Sequence, residues 1–188
     1  MPLNLPNLIT WLRIIMIPLI IGIFYLPDAW LSYAGKNAAA CAVFVLAALS
    51  DWLDGYLARA LDQTSAFGAF LDPVADKLVV AAALIMLVQL ERVEPVIALI
   101  IIGREIAISA LREWMAKLGQ SGSVAVAYIG KVKTVSQMVA IPLLLFHDDL
   151  FGMLNTQWLG TILINLAAVL TVISMLHYLR RALPHAHG

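Results

Sequence analysis

Four aspartates, Asp51, Asp54, Asp72 and Asp76, stand in stretches otherwise made of apolar residues, and their spacing is helical. Asp51 and Asp54 are i,i+3 and Asp72 and Asp76 are i,i+4, so on helices each pair projects from one face. Ionisable groups in such surroundings are expensive and mark function by default. Four carboxylates gathered in a partly dry place repel one another and take up protons unless cations hold them ionised. Magnesium or manganese would do so, because hard cations prefer oxygen ligands and a pair about 4 Å apart clamps a phosphoryl group. A plainer reading makes these aspartates caps or interfacial groups, and Asp72 before Pro73 has the form of an N-cap followed by proline at the first helical position. Between the pairs, Gly55 and Gly68 permit close backbone approach, or simply close helix contact. Arg59 is a fork-shaped phosphate partner that serves equally as a topology-setting cation.

The elements that must hold these groups are membrane helices. Of 188 residues, 62% are hydrophobic and 13% charged, with a mean hydropathy of +0.91, far from the soluble norm. Twelve Lys and Arg balance twelve Asp and Glu, which leaves no basic surface for nucleic acid. The single cysteine, Cys41, excludes a disulfide framework within one chain and a cysteine-rich metal site. Apolar stretches at Ile14–Leu26, Asn37–Leu57, Phe70–Leu90, Val96–Met115, Ile129–Phe146 and Trp158–Leu179 predict an all-α protein of six transmembrane helices in one domain, residues 1–188. The first stretch is short unless it begins near Leu8, and Pro18 predicts an interfacial or kinked start. It could instead be a secretory signal, with Ala34 and Ala38 to Ala40 as cleavage residues, although only one cation precedes it.

Cation placement orients the spans. Lys36 and Arg92 are the two on one side; Arg13, Arg59, Lys77, Arg104, Arg112, Lys117, Lys131, Lys133, Arg180 and Arg181 are the ten on the other. Positive residues stay inside, so both termini are expected in the cytoplasm. His185 and His187 in the tail are read as a frayed terminus rather than a metal site.

The run from Asp51 to Arg59 continues with eight residues, Gly68, three residues, Asp72, three residues and Asp76. This arrangement of Asp51, Asp54, Gly55, Ala58, Arg59, Gly68, Asp72 and Asp76 resembles the complete signature of the CDP-alcohol phosphotransferases. Three further segments, LPNLITWLR from Leu5, GREIAISALREWM from Gly103 and GKVKTVSQM from Gly130, look like the branch of that family that uses glycerol 3-phosphate. The resemblance implies a six-helix fold, usually a homodimer, in the bacterial cytoplasmic membrane, with a polar cavity open to the cytoplasm. It implies two divalent cations on Asp51, Asp54, Asp72 and Asp76, with Asp76 also taking the proton from the acceptor hydroxyl. It implies Gly55, Ala58, Arg59 and Gly68 around the CDP group. The reaction implied transfers the phosphatidyl group of CDP-diacylglycerol to sn-glycerol 3-phosphate and releases CMP.

Four carboxylates and two divalent cations cancel in charge, so the acceptor phosphate needs other cations. Arg112, Lys131 and Lys133, with Arg104 next, are expected to form that subsite; Arg104 and Arg112, eight residues apart, share roughly one helix face. Lys131 and Lys133 could instead be interfacial anchors, as Lys117 is expected to be, and Arg104 could pair with Glu105 or another carboxylate. Inositol phosphate, serine or phosphatidylglycerol are alternative acceptors. Outside the family, a small transporter is the remaining alternative, because membrane carboxylates also line ion paths.

Overall fold

A computed structural model describes residues 5–60, 66–117, 128–150, 152 and 154–182. All six apolar stretches are helices: α1 (Leu5–Phe24), α2 (Tyr33–Ala60), α3 (Ala66–Gln89), α4 (Pro95–Lys117), α5 (Tyr128–Phe146) and α6 (Thr156–Ala182). A two-residue hairpin, β1 (Asp149–Leu150) with β2 (Leu154–Asn155), is the one departure from an all-helical chain among the described residues. It pairs Asp149 with Asn155, and Gly152 takes the positive φ of 66° that its tight turn requires.

The helices outrun the apolar stretches, because hydropathy marks what lipid would solvate while backbone hydrogen bonding continues past it. Helix α1 begins at Leu5 rather than Ile14, with Pro18 inside it. Helix α3 begins at Ala66, so Asp72 and Pro73 lie inside the helix and Asp72 is not its N-cap. The Asp72 carboxylate accepts from another helix instead, as described below. At its far end α3 closes on Glu91, whose φ is 57°; Arg92 N–H donates to Leu87 O at 2.8 Å and Glu91 N–H to Val88 O at 3.0 Å. That is the left-handed helix stop usually filled by glycine.

Helix α1 lies against α2 and α3, α5 against α2 and α6, and α4 against α3 and α6. Their shared core is Ile20, Phe44, Leu84, Leu87, Ile101, Ile141 and Leu144, with Ala40, Ala47, Ala83 and Ala140 letting backbones approach. A Cβ on Gly160 of α6 would stand 2.7 Å from Leu144 Cγ, so any larger residue there would force the buried Leu144 side chain to move. Leu12, Ile15, Leu46, Leu49, Ile85, Leu99, Ile106, Val135, Leu166 and Ile173 point outward. So broad an apolar exterior suits lipid rather than water. Among the described residues, two helices, over Tyr33–Asp51 and Thr156–His177, are long and apolar enough to cross a membrane, and Leu8–Phe24 and Val132–Phe146 are shorter apolar stretches.

Polar bonds define the two ends of the bundle. At one end buried Arg92 donates to Leu144 O and Leu145 O at 3.0 and 2.9 Å, to Tyr33 Oη at 2.8 Å and to Asn37 Oδ1 at 2.8 Å. It thus ties the α3–α4 turn to the start of α2 and supplies positive charge to the carbonyl end of α5. The four aspartates lie toward the other end.

Candidate active site

The acidic end is assembled by a helix whose role the residue pattern did not disclose. Thr10 and Arg13 are i,i+3 on α1, on one face, and both are fully buried. Arg13 Nη1 donates to Asp51 Oδ1 at 2.8 Å. Thr10 Oγ1 donates to Asp72 Oδ1 at 2.5 Å. One face of α1 therefore grips the first aspartate of each pair and sets α2 and α3 in register with each other. A guanidinium buried this completely needs acceptors to offset its lost hydration, and here the acceptor is a carboxylate. Charge counting marks Arg13 only as an orienting cation; the signal for its second role is a threonine and an arginine three residues apart in an otherwise apolar run.

Asp76, one turn beyond Asp72 on α3, lies within the fields of Asp51, Arg13, Glu105 and Lys77. Across from it, Lys133 of α5 is buried and its ammonium is paired with Glu105 of α4. Arg104 joins the same group, with Nη1 3.5 Å from Glu105 Oε1 and Nη2 donating to Ser174 Oγ of α6 at 3.2 Å. Glu105 is thus the hub between two cations expected in the acceptor subsite, and the sequence suggested it only as a partner for Arg104. A cavity of about 80 Å³ opens among Asp76, Lys77, Glu105, Lys133, Thr134 and Gln137, so Asp76 and a buried cation face one space.

Gly68 is buried on α3 one turn before Asp72. Asp54, Gly55, Ala58 and Arg59 belong to α2, Arg112 to α4 and Lys131 to α5. The side chains of these six lie outside the described residues, as do His185 and His187. Among the described residues, no three His, Cys, Asp or Glu side chains gather closely enough to hold an ion. The donor set nevertheless fits a hard divalent cation, because every member is a carboxylate and the described bonds engage only Oδ1 of Asp51 and of Asp72.

A second, larger cavity of about 710 Å³ runs along α2 and α5, lined by Cys41, Val45, Leu46, Val139, Pro142 and neighbouring residues. Its wall is almost wholly apolar, and Met138 belongs to both cavities.

A helical bundle with an apolar exterior, carrying paired carboxylates on adjacent helices at one end, meets the comparison with known families directly. The family model described as CDP-alcohol phosphatidyltransferase matches residues 3–173, and the chain belongs to that family. Within it, the chain is 47% identical over 184 residues, covering 97% of this chain and 96% of the relative, to the CDP-diacylglycerol–glycerol-3-phosphate 3-phosphatidyltransferase of Escherichia coli (strain K12). The enzymes of the same name from Shigella flexneri and Salmonella choleraesuis (strain SC-B67) match with the same identity and coverage.

Proposed function

We propose that the chain transfers the phosphatidyl group from CDP-diacylglycerol to sn-glycerol 3-phosphate, giving phosphatidylglycerophosphate and CMP. The observation that carries this reading is the cavity shared by Asp76 and Lys133, which sets a proton acceptor beside a cation for the acceptor phosphate. Relatives that match nearly the whole chain bear that activity in their names.

The residues divide the work as follows. Lys133, with Arg112, Lys131 and Arg104, neutralises the phosphate of the acceptor. Glu105 holds Lys133 and Arg104 in place and limits the excess of positive charge. The primary hydroxyl of the acceptor attacks the phosphorus bonded to diacylglycerol, Asp76 takes the hydroxyl proton, and CMP leaves with the electrons of the broken P–O bond. A base so placed typically contributes about a hundred- to ten-thousand-fold in rate. Gly55, Ala58, Arg59 and Gly68 bound the CDP group. The apolar groove that shares Met138 with the reaction cavity accommodates an acyl chain of the donor. Two divalent cations, magnesium or manganese, held by Asp51, Asp54, Asp72 and Asp76, would supply positive charge to the diphosphate.

In this reading all six helices cross the bacterial cytoplasmic membrane, and residues 1–188 form a single domain. The acidic end and both termini face the cytoplasm, and two copies pair as a homodimer. The test supplies purified protein with CDP-diacylglycerol, magnesium and, in separate reactions, glycerol 3-phosphate, inositol phosphate, serine and phosphatidylglycerol, and identifies the lipid formed by mass. Phosphatidylglycerophosphate from the first reaction alone is expected. A product from another acceptor, with none from glycerol 3-phosphate, overturns the assignment.

A further inference from the structure

Gln137 is, with Lys77 and Thr134, a polar member of the reaction cavity whose chemistry the mechanism above does not use. It lies on α5 one turn beyond Lys133, so the two share a face, and Asp76 faces them across the cavity. Its side chain is only 4% exposed, and its buried Oε1 accepts no hydrogen bond from any described residue. Buried carboxamides are nearly always hydrogen-bonded, and one that is not, at the wall of a cavity, is placed to meet a ligand. The cavity's volume of about 80 Å³ is room for a few water-sized groups. That suits the hydroxylated end of a small polyol and excludes a lipid tail.

We propose that the Gln137 carboxamide hydrogen-bonds the secondary hydroxyl of the acceptor and so selects a polyol phosphate over an alkanol phosphate. The inference rests on the phosphatidyltransferase reading above and deepens it. In glycerol 3-phosphate the secondary hydroxyl sits between the phosphate and the reacting primary hydroxyl. Lys133, Gln137 and Asp76 offer a cation, a carboxamide and a carboxylate, one for each of these groups. A hydroxyl can donate to Oε1 and still accept from a neighbour. A site built to bond a hydroxyl rejects the analogue that lacks it, because the buried partner is left unpaired.

The probe is 3-hydroxypropyl phosphate, which keeps the phosphate and the primary hydroxyl and lacks only the secondary one. The wild-type protein is expected to favour glycerol 3-phosphate in kcat/KM by about ten- to hundredfold. In Gln137→Met and Gln137→Leu the preference should fall to within about threefold, with the KM for CDP-diacylglycerol unchanged. The ratio does not depend on how much of a variant is folded. Equilibrium binding of the two phosphates, measured without donor, should show the same collapse even if turnover is lost. Variants that retain the wild-type preference overturn the inference, as does a wild-type protein that uses both acceptors equally. Failure of the wild-type protein to use either acceptor overturns the underlying function instead.

Discussion

Replacing Arg13 by methionine keeps most of the side-chain volume in the core and removes the positive charge held 2.8 Å from Asp51 Oδ1. With charge centres about 4 Å apart and an effective dielectric constant near 20, that attraction amounts to about 4 kcal/mol. Arg13 is 1% exposed but Asp51 is 44% exposed, so water takes up part of the loss once the partner is gone. A net destabilisation of about 2 kcal/mol is expected, or a fall of about 4–8 °C in the thermal midpoint for a chain of this size. The deficit should be largest in chelator, where the carboxylates of α2 and α3 have no other cation. Millimolar magnesium should remove more than half of it, because the added charge replaces the one lost. The assay is thermal unfolding of detergent-purified wild type, Arg13→Met and Arg13→Lys, each in excess EDTA and in magnesium, with lysine expected to fall between the other two. An equal deficit in both conditions would refute the reasoning and leave Arg13 a core ion pair with no bearing on the acidic site.

Asp76→Asn should retain CDP-diacylglycerol binding and lose turnover at every magnesium concentration, whereas high magnesium should partly restore Asp51→Asn; equal rescue of both would reduce Asp76 to a ligand. Lys133→Met should raise the KM for glycerol 3-phosphate by about ten- to hundredfold, the worth of one charge-assisted hydrogen bond, with little change for the lipid donor. Equal weakening toward both substrates would assign Lys133 to the fold. His147, at the end of α5 with φ 52°, has its pKa lowered from the usual 6.5 by burial and then by Arg92, with Asp148 opposing. Its contribution to stability is therefore present above about pH 6.5 and lost as pH falls below it. His147→Asn, which tolerates the backbone conformation, should flatten the decline in thermal midpoint between pH 7 and pH 5, and an unchanged slope would count against this.

The aspartates were legible because their spacing within each pair is a property of one helix, and i,i+3 and i,i+4 need no tertiary information. The partners of Asp51 and Asp72 were not, because Thr10 and Arg13 reach them from α1, dozens of residues away in sequence. Arg92 shows the same limit. Charge counting placed it opposite the acidic end, where the structure also has it, but could not reveal that it caps the carbonyls of α5. The plainer reading of Asp72 as an N-cap does not hold, because the Asp-Pro pair is only a local helix-start signal and α3 runs through it from Ala66 onward. Gln137 lies in the segment from Gly130 to Met138 that resembles the family, but nothing in that segment singles it out. It stands out only once its burial and its unpartnered oxygen are seen together.

The most direct test follows the phosphorus. CDP-diacylglycerol labelled at the phosphorus attached to diacylglycerol, supplied with glycerol 3-phosphate and magnesium, should yield labelled phosphatidylglycerophosphate and unlabelled CMP in equal amounts. The Asp76→Asn variant should yield neither. Label leaving with the nucleotide, or CMP release that proceeds without glycerol 3-phosphate, would contradict transfer of the phosphatidyl group to this acceptor.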